Sequence, residues 1–150
     1  MTASKLERQC ILIVDDEKII RSVLTDILEM NDYDPITASD GQEAIDMMRN
    51  APFDLILTDI VMPKATGVDV LRAAKELDPM YPVIMITAYP SRESVRKMIS
   101  LGAADYIIKP FSVDLMVVTI DKVLEMQSQF AKLLETRDST LEPGIDPLTG

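Results

Sequence analysis

Ile11-Leu12-Ile13-Val14-Asp15-Asp16 is a short apolar run that ends on two carboxylates, and the same pattern recurs along the chain. Leu55-Ile56-Leu57-Thr58 leads into Asp59, Val83-Ile84-Met85-Ile86 into Thr87, and Tyr106-Ile107-Ile108 into Lys109. Runs of this length and purity suit strands buried on both faces. In an open parallel sheet such strand ends share one rim, where ligands bind. Asp15, Asp16 and Asp59 gathered there would repel one another unless a cation joined them. A hard divalent ion such as Mg2+ suits a donor set made only of oxygen.

Stretches of helical period separate the runs. Ile20, Val23, Leu24, Ile27 and Leu28 recur at i, i+3, i+4, i+7 and i+8, one stripe for a core. Tyr33 to Ala38 is a more polar strand, expected at a sheet edge. Asp40 to Asn50 reads as a helix with Asp40 and Glu43 spaced as a capping box and Pro52 as its stop. After the strand Asp54 to Thr58, Gly67 to Leu77 is helical and ends at Asp78-Pro79. The strand Pro82 to Thr87 precedes a helix from Ser91 to Leu101, closed by Gly102, which suits a left-handed cap. Asp105 to Ile108 is the last strand. Five strands alternating with five helices predict an α/β domain around a parallel sheet.

The final helix starts at Ser112 and meets no stop signal until about Arg137. It would be roughly 39 Å long, more than a small sheet can cover. Ile120, Val123, Gln127, Phe130, Leu134 and Arg137 alternate three- and four-residue steps, so a dimeric coiled coil is the simplest partner for the stripe. The competing reading is a solvated, fraying extension. From Asp138 the composition turns to Ser, Thr, Pro and Gly, as in a linker. The expected organisation is a tail over 1–8, one domain over 9–125, a helical extension over 126–138 and a linker over 139–150.

Composition removes several function classes. The chain of 150 residues is 47% hydrophobic, enough for a real core, with no run approaching a membrane span. The first residues lack the apolar core of a secretion signal, and the lone Cys10 forms no internal disulfide, so the cytoplasm is the expected compartment. Cys10 itself reads as a small buried hydrophobe. A net charge of −10 argues against nucleic acid as a direct ligand. There is no histidine, so the usual general base is missing and chemistry must run on carboxylates, hydroxyls and lysine.

A carboxylate that attacks a phosphoryl donor forms an acyl phosphate, and the reaction needs mainly positioning and charge neutralisation. Asp59 ends the central run between apolar neighbours and is the best candidate nucleophile. Asp15 and Asp16 would hold the metal, Lys109 would pair with carboxylate and then phosphate, and Thr87 could donate to a phosphoryl oxygen. Each residue alone has a plainer reading. Asp15 or Asp16 could be a helix N-cap, Thr87 a β-branched strand end and Lys109 a solvated charge. Their joint placement at the same end of four strands favours a site.

These residues carry a resemblance. Val14-Asp15-Asp16, Asp59-Ile60-Val61-Met62-Pro63 with Gly67 after it, Thr87-Ala88 and Lys109-Pro110-Phe111 are similar, in order and spacing, to the receiver domain of two-component response regulators. The resemblance covers about residues 9 to 125. It implies a flavodoxin-like, doubly wound sheet of order 2-1-3-4-5, an order stated for this type of fold in general. It implies Asp59 as phospho-acceptor, Asp15 and Asp16 as the acidic pair with Asp16 a direct Mg2+ ligand, and the Val61 backbone carbonyl as a further ligand. Thr87 and Lys109 would contact the phosphoryl group, and Lys109-Pro110 would be cis. Thr87 and Tyr106 would form the switch pair, with Thr87 drawn inward and Tyr106 filling the space. The implied partner is a sensor histidine kinase or phosphotransfer protein. A homodimer would use the switch face, the extended helix or both. The segment itself would be a phosphoryl acceptor with slow self-dephosphorylation, not an enzyme.

Asp146-Pro147-Leu148-Thr149-Gly150 resembles the opening of a diguanylate cyclase (GGDEF-type) domain, which would make a cyclase the attached effector. A stand-alone receiver, or one attached to another effector such as a DNA-binding domain, is the alternative. A haloacid-dehalogenase-type enzyme would need a second carboxylate where Val61 stands. A flavin-binding module would place phosphate against Asp15-Asp16-Glu17, which repel it. Val61 and Tyr89, two residues after Asp59 and Thr87, differ from the polar residues of some receivers and imply slower loss of the phosphoryl group.

Overall fold

The computed structural model describes residues 7–140, with side chains described as far as residue 135. Its elements alternate as β1 (Cys10–Val14), α1 (Lys18–Met30), β2 (Asp34–Ala38), α2 (Gly41–Asn50), β3 (Leu55–Asp59), α3 (Gly67–Leu77), β4 (Val83–Thr87), α4 (Arg92–Ser100), β5 (Asp105–Ile108) and α5 (Val113–Thr140). All strand pairs are parallel, in the order β2-β1-β3-β4-β5, as the resemblance implies for the flavodoxin-like fold.

Side-chain alternation along the strands builds two cores. Leu12, Val14, Ile56, Val83 and Met85 point to one face, where α2, α3 and Met98 of α4 cover them. Ile11, Ile13, Leu55, Leu57, Ile84, Ile86 and Ile107 point to the other, against Leu24 and Leu28 of α1 and Met116, Ile120 and Val123 of α5. The central strands β3 and β4 are buried at every position, which is why they read as unbroken apolar runs. β2 lies at an edge, and its polarity follows from that.

Several local expectations need correction. Within the α1 stripe, Leu24, Ile27 and Leu28 are buried, but Val23 is exposed at its margin. A helix resting on a sheet buries a narrower arc than five stripe positions span. Tyr33 precedes β2 instead of starting it, and its hydroxyl donates to Asp121 on α5. At α2, Asp40 accepts the Glu43 N–H at 2.8 Å, whereas the Glu43 carboxylate reaches past Asp40 to the Ser39 N–H at 3.1 Å. Reciprocal capping boxes occur instead at Thr66/Asp69 and Ser91/Ser94. Gly102 adopts φ 97°, as expected of the residue that closes α4. Cys10 is only partly buried, because β1 starts at the open end of the sheet.

α5 runs far past the sheet. Ile120 and Val123, the first two residues of the seam read along this helix, belong to the domain core. Gln127, expected in the same seam, donates its side-chain amide to the Met80 carbonyl at 2.6 Å, in the loop before β4. α5 is thus tied to the body as far as Gln127, two residues past the expected boundary at 125. A cavity of about 670 Å³ lies beside this contact, lined by residues that include Gln9, Asp54, Pro82 and Leu124, at the start of the strands. Residues 146–150, whose sequence resembles a cyclase opening, lie outside the described residues.

Candidate functional site

Parallel register brings the four strand ends to one level. Val14 pairs with Thr58, Asp59 with Ile86 and Thr87 with Ile108. Asp15 follows β1, Asp59 and Thr87 end β3 and β4, and Lys109 follows β5. The Lys109 ammonium lies 3.1 Å from Asp15 Oδ2 and 3.3 Å from Asp59 Oδ2, across sequence separations of 94 and 50 residues. Asp15, Asp59 and Thr87 are all buried. No local capping role requires that convergence.

Backbone groups fix the acids. Asp15 Oδ1 accepts the Glu17 N–H at 2.8 Å, and the Arg21 guanidinium holds the Asp15 carbonyl at 2.8 Å. Asp59 Oδ1 accepts the N–H of Ile60 at 2.8 Å, leaving Oδ2 toward Lys109. Burial pushes the Asp59 carboxyl above its ordinary value; the Lys109 charge opposes this and the Asp15 charge adds to it. For Lys109, burial pushes the ammonium down, but its hydrogen bond to Asp15 and the charges of Asp15 and Asp59 outweigh it, so the net shift is upward. Two buried carboxylates thus share one ammonium.

The carboxylate oxygens of Asp15, Asp16 and Glu17 lie within 4.8 Å of one another. Glu17 was not among the residues singled out as ligands; its position directly after the acidic pair was the available signal. Hard oxygen donors at this spacing, two of them exposed, fit an oxygen-seeking divalent ion. Asp59 lies outside that three-carboxylate group because its side chain is turned to Lys109 and Ile60.

Thr87 Oγ1 accepts the N–H of Tyr89 at 3.1 Å, which leaves its proton available to an incoming acceptor. The Lys109 N–H donates to the Thr87 carbonyl at 2.8 Å, so the two residues are also tied through the backbone. The side chains of Val61 and Tyr89 are exposed beside the site, and Tyr106 is partly exposed on β5. The Lys109-Pro110 peptide is cis.

Two glycines set the loop after β3. A β-carbon on Gly67 would lie 2.2 Å from the Asp59 carbonyl oxygen, and one on Gly41 would lie 2.0 Å from that of Ala65. The loop carrying Val61 is thus pressed between α2 and α3, with the Gly67 N–H donating to Ile60 at 2.8 Å. Gly67 was legible only as part of a spacing pattern, and Gly41 not at all.

The sequence profile described as the response regulator receiver domain matches residues 11–121. Among curated relatives, the alkaline phosphatase synthesis transcriptional regulatory protein PhoP of Bacillus subtilis (strain 168) is 35% identical, covering 90% of this chain and 56% of PhoP. The transcriptional regulatory protein CpxR of Escherichia coli (strain K12) is 36% identical, covering 86% of this chain and 54% of CpxR. The chain thus spans about half the length of these relatives. Among solved structures, the CheY-like receiver domain protein of Methanospirillum hungatei JF-1 superposes with a TM-score of 0.79 at 32% identity, covering 82% of this chain and 98% of that one. The beryllofluoride-activated NtrC4 receiver domain dimer gives 0.75 at 37% identity, covering 79% and 98%.

Proposed function

Since the chain belongs to the response regulator receiver family, we propose that Asp59 accepts a phosphoryl group from a sensor histidine kinase or phosphotransfer protein and so switches an attached effector. The observation that carries this reading is the Lys109 ammonium held between two buried carboxylates at the strand ends. An oxygen of Asp59 bonds to phosphorus as the phosphorus–nitrogen bond of the donor imidazole breaks, and the electron pair returns to that imidazole. Lys109 follows the charge from carboxylate to phosphoryl oxygen, and Thr87 turns its free proton toward the same group. Tyr106, partly exposed, takes the space Thr87 leaves.

Asp15, Asp16 and Asp59 with the Val61 carbonyl would hold Mg2+, which would supply positive charge beside the phosphoryl group. This segment acts as an acceptor that loses its phosphoryl group slowly and is not itself a turnover enzyme. Its setting is cytoplasmic. Among the described residues no helix is long and apolar enough to cross a membrane.

Different observations support two effectors. The tail resembling a cyclase opening, Asp146 to Gly150, favours a diguanylate cyclase controlled by homodimerisation. The names of PhoP and CpxR favour a DNA-binding effector, with nucleic acid contacted outside this acidic segment. Sequencing the coding region after Gly150 separates them: a Gly-Gly-(Asp/Glu)-Glu-Phe run supports the first, a basic helix-turn-helix the second. For the acceptor itself, acetyl phosphate with Mg2+ should label the wild type and leave Asp59→Asn unlabelled. Equal labelling of both would refute the assignment.

A further inference from the structure

Of the three aspartates at the rim, Asp16 alone has no group holding its side chain. The two oxygens of Asp15 meet the Glu17 N–H and the Lys109 ammonium, and those of Asp59 meet the Ile60 N–H and the same ammonium. Asp16 is exposed, and its carboxylate bonds to no other group among the described residues. Its direction therefore follows from the backbone on either side of it.

One residue grips that backbone twice. Arg21, half-buried in the first turn of α1, donates its own N–H to the Glu17 carbonyl at 3.1 Å and its guanidinium Nη1 to the Asp15 carbonyl at 2.8 Å. The two carbonyls flank Asp16. Side chains on a helix lean toward its N-terminus, so a long side chain at the fourth position of α1 reaches back over the turn to the loop. The helix dipole disfavours a cation there, so the helix gains nothing from this charge. Among the described residues Arg21 forms no ion pair with a carboxylate; its guanidinium is committed to a backbone carbonyl.

We propose that Arg21 is a positioning residue for the metal: by fixing the backbone from Asp15 to Glu17, it aims the Asp16 carboxylate at the ion. A guanidinium cannot ligate a cation, so its part is geometric. The carboxylates of Asp15, Asp16 and Glu17 crowd within 4.8 Å and repel one another, so a loop free to turn would carry Asp16 away from the others. Groups that orient metal ligands in this way typically change affinity by about 10–100-fold.

Charge and position predict opposite signs. As a charge alone, Arg21 would oppose a cation nearby, and removing it would tighten Mg2+ binding. As a positioning group, its removal frees Asp16 and weakens binding. Calorimetric titration of the whole chain with MgCl2 decides between them. Arg21→Met keeps the length of the side chain without its charge or donors and should raise the Mg2+ Kd at least about tenfold. Arg21→Lys returns the charge and a donor on a flexible stem and should recover part of that loss. Lys18→Met removes the other cation of the same turn, whose side chain bonds none of the described residues, and should bind Mg2+ at least as tightly as the parent.

Acetyl phosphate labelling gives a second readout. The Mg2+ concentration for half-maximal labelling should rise in Arg21→Met, while labelling at saturating Mg2+ stays near the parent's. A purely structural role would lower the maximum and leave the half-saturation point where it was, which counts against the proposal. An Arg21→Met Kd equal to or below the parent's would overturn it. Should that variant not fold, Arg21→Lys is still expected to bind several-fold more weakly than the parent, and equal affinity would overturn the proposal. The inference rests on the Mg2+ reading of this site. A parent chain that takes up no Mg2+ overturns that reading and the inference with it, whereas a parent and an Arg21→Met variant that bind alike overturn the inference alone.

Discussion

Gly67 lies so close to Asp59 that a β-carbon on it would sit 2.2 Å from the Asp59 carbonyl oxygen. Gly67 is also the first residue of α3, where alanine would ordinarily be the better helix former. The clash outweighs that gain, because the obstacle is backbone and cannot rotate away. Gly67→Ala is expected to lower stability by about 1–3 kcal/mol and to reduce labelling of Asp59. Urea unfolding and acetyl phosphate labelling check the two effects; a variant as stable as its parent contradicts the packing.

Asp59→Asn should stabilise the metal-free protein near neutral pH. Burial raises the Asp59 carboxyl above its ordinary 3.8, with Lys109 opposing and Asp15 adding. Between that value and the raised one, the folded state holds more protons than the unfolded chain, so stability falls as pH rises through the window. Asparagine removes the charge that has this cost, while Lys109 keeps Asp15 as partner. Melting temperatures of the two proteins should converge at acidic pH and separate toward neutrality.

Lys109→Met should have the opposite sign. Despite burial, its partners raise the Lys109 ammonium above 10.5, so its stabilising contribution is complete below 10.5 and is lost above the raised value. Removing it leaves two buried carboxylates facing each other, at a cost on the order of 3 kcal/mol. Mg2+ should restore part of this loss, more in the variant than in the wild type. A thermal titration with and without Mg2+ measures both terms.

Val61→Asn should shorten the lifetime of the phosphorylated form. Val61 is exposed beside Asp59 and offers no hydrogen bond to an attacking water, whereas an amide there could orient one. The decay of label after removal of acetyl phosphate gives the rate. A decay no faster than the parent's counts against the idea.

The rim was legible in the sequence because burial makes β1, β3 and β4 largely apolar runs and β5 a short apolar one, so the polar residues that follow mark the strand ends. Asp15, Thr87 and Lys109 follow that rule, and Asp59 comes one residue after the polar Thr58. What escaped depends on packing between distant elements. Val23 fits the α1 period, but its exposure is set by how wide an arc the sheet covers. Gln127 was visible as a polar seam residue, yet its partner is a backbone carbonyl 47 residues away. Gly41 carries no local signal, since its need for a missing side chain comes from Ala65.

Lys109 stands only four residues before α5, and α5 continues for 28 residues. A rigid rod of that size is about 42 Å long. A tilt of about 5° where it joins the sheet would swing its far tip through roughly 3–4 Å. Such a change of angle at the sheet thus becomes, at the far tip, a displacement wider than a hydrogen bond.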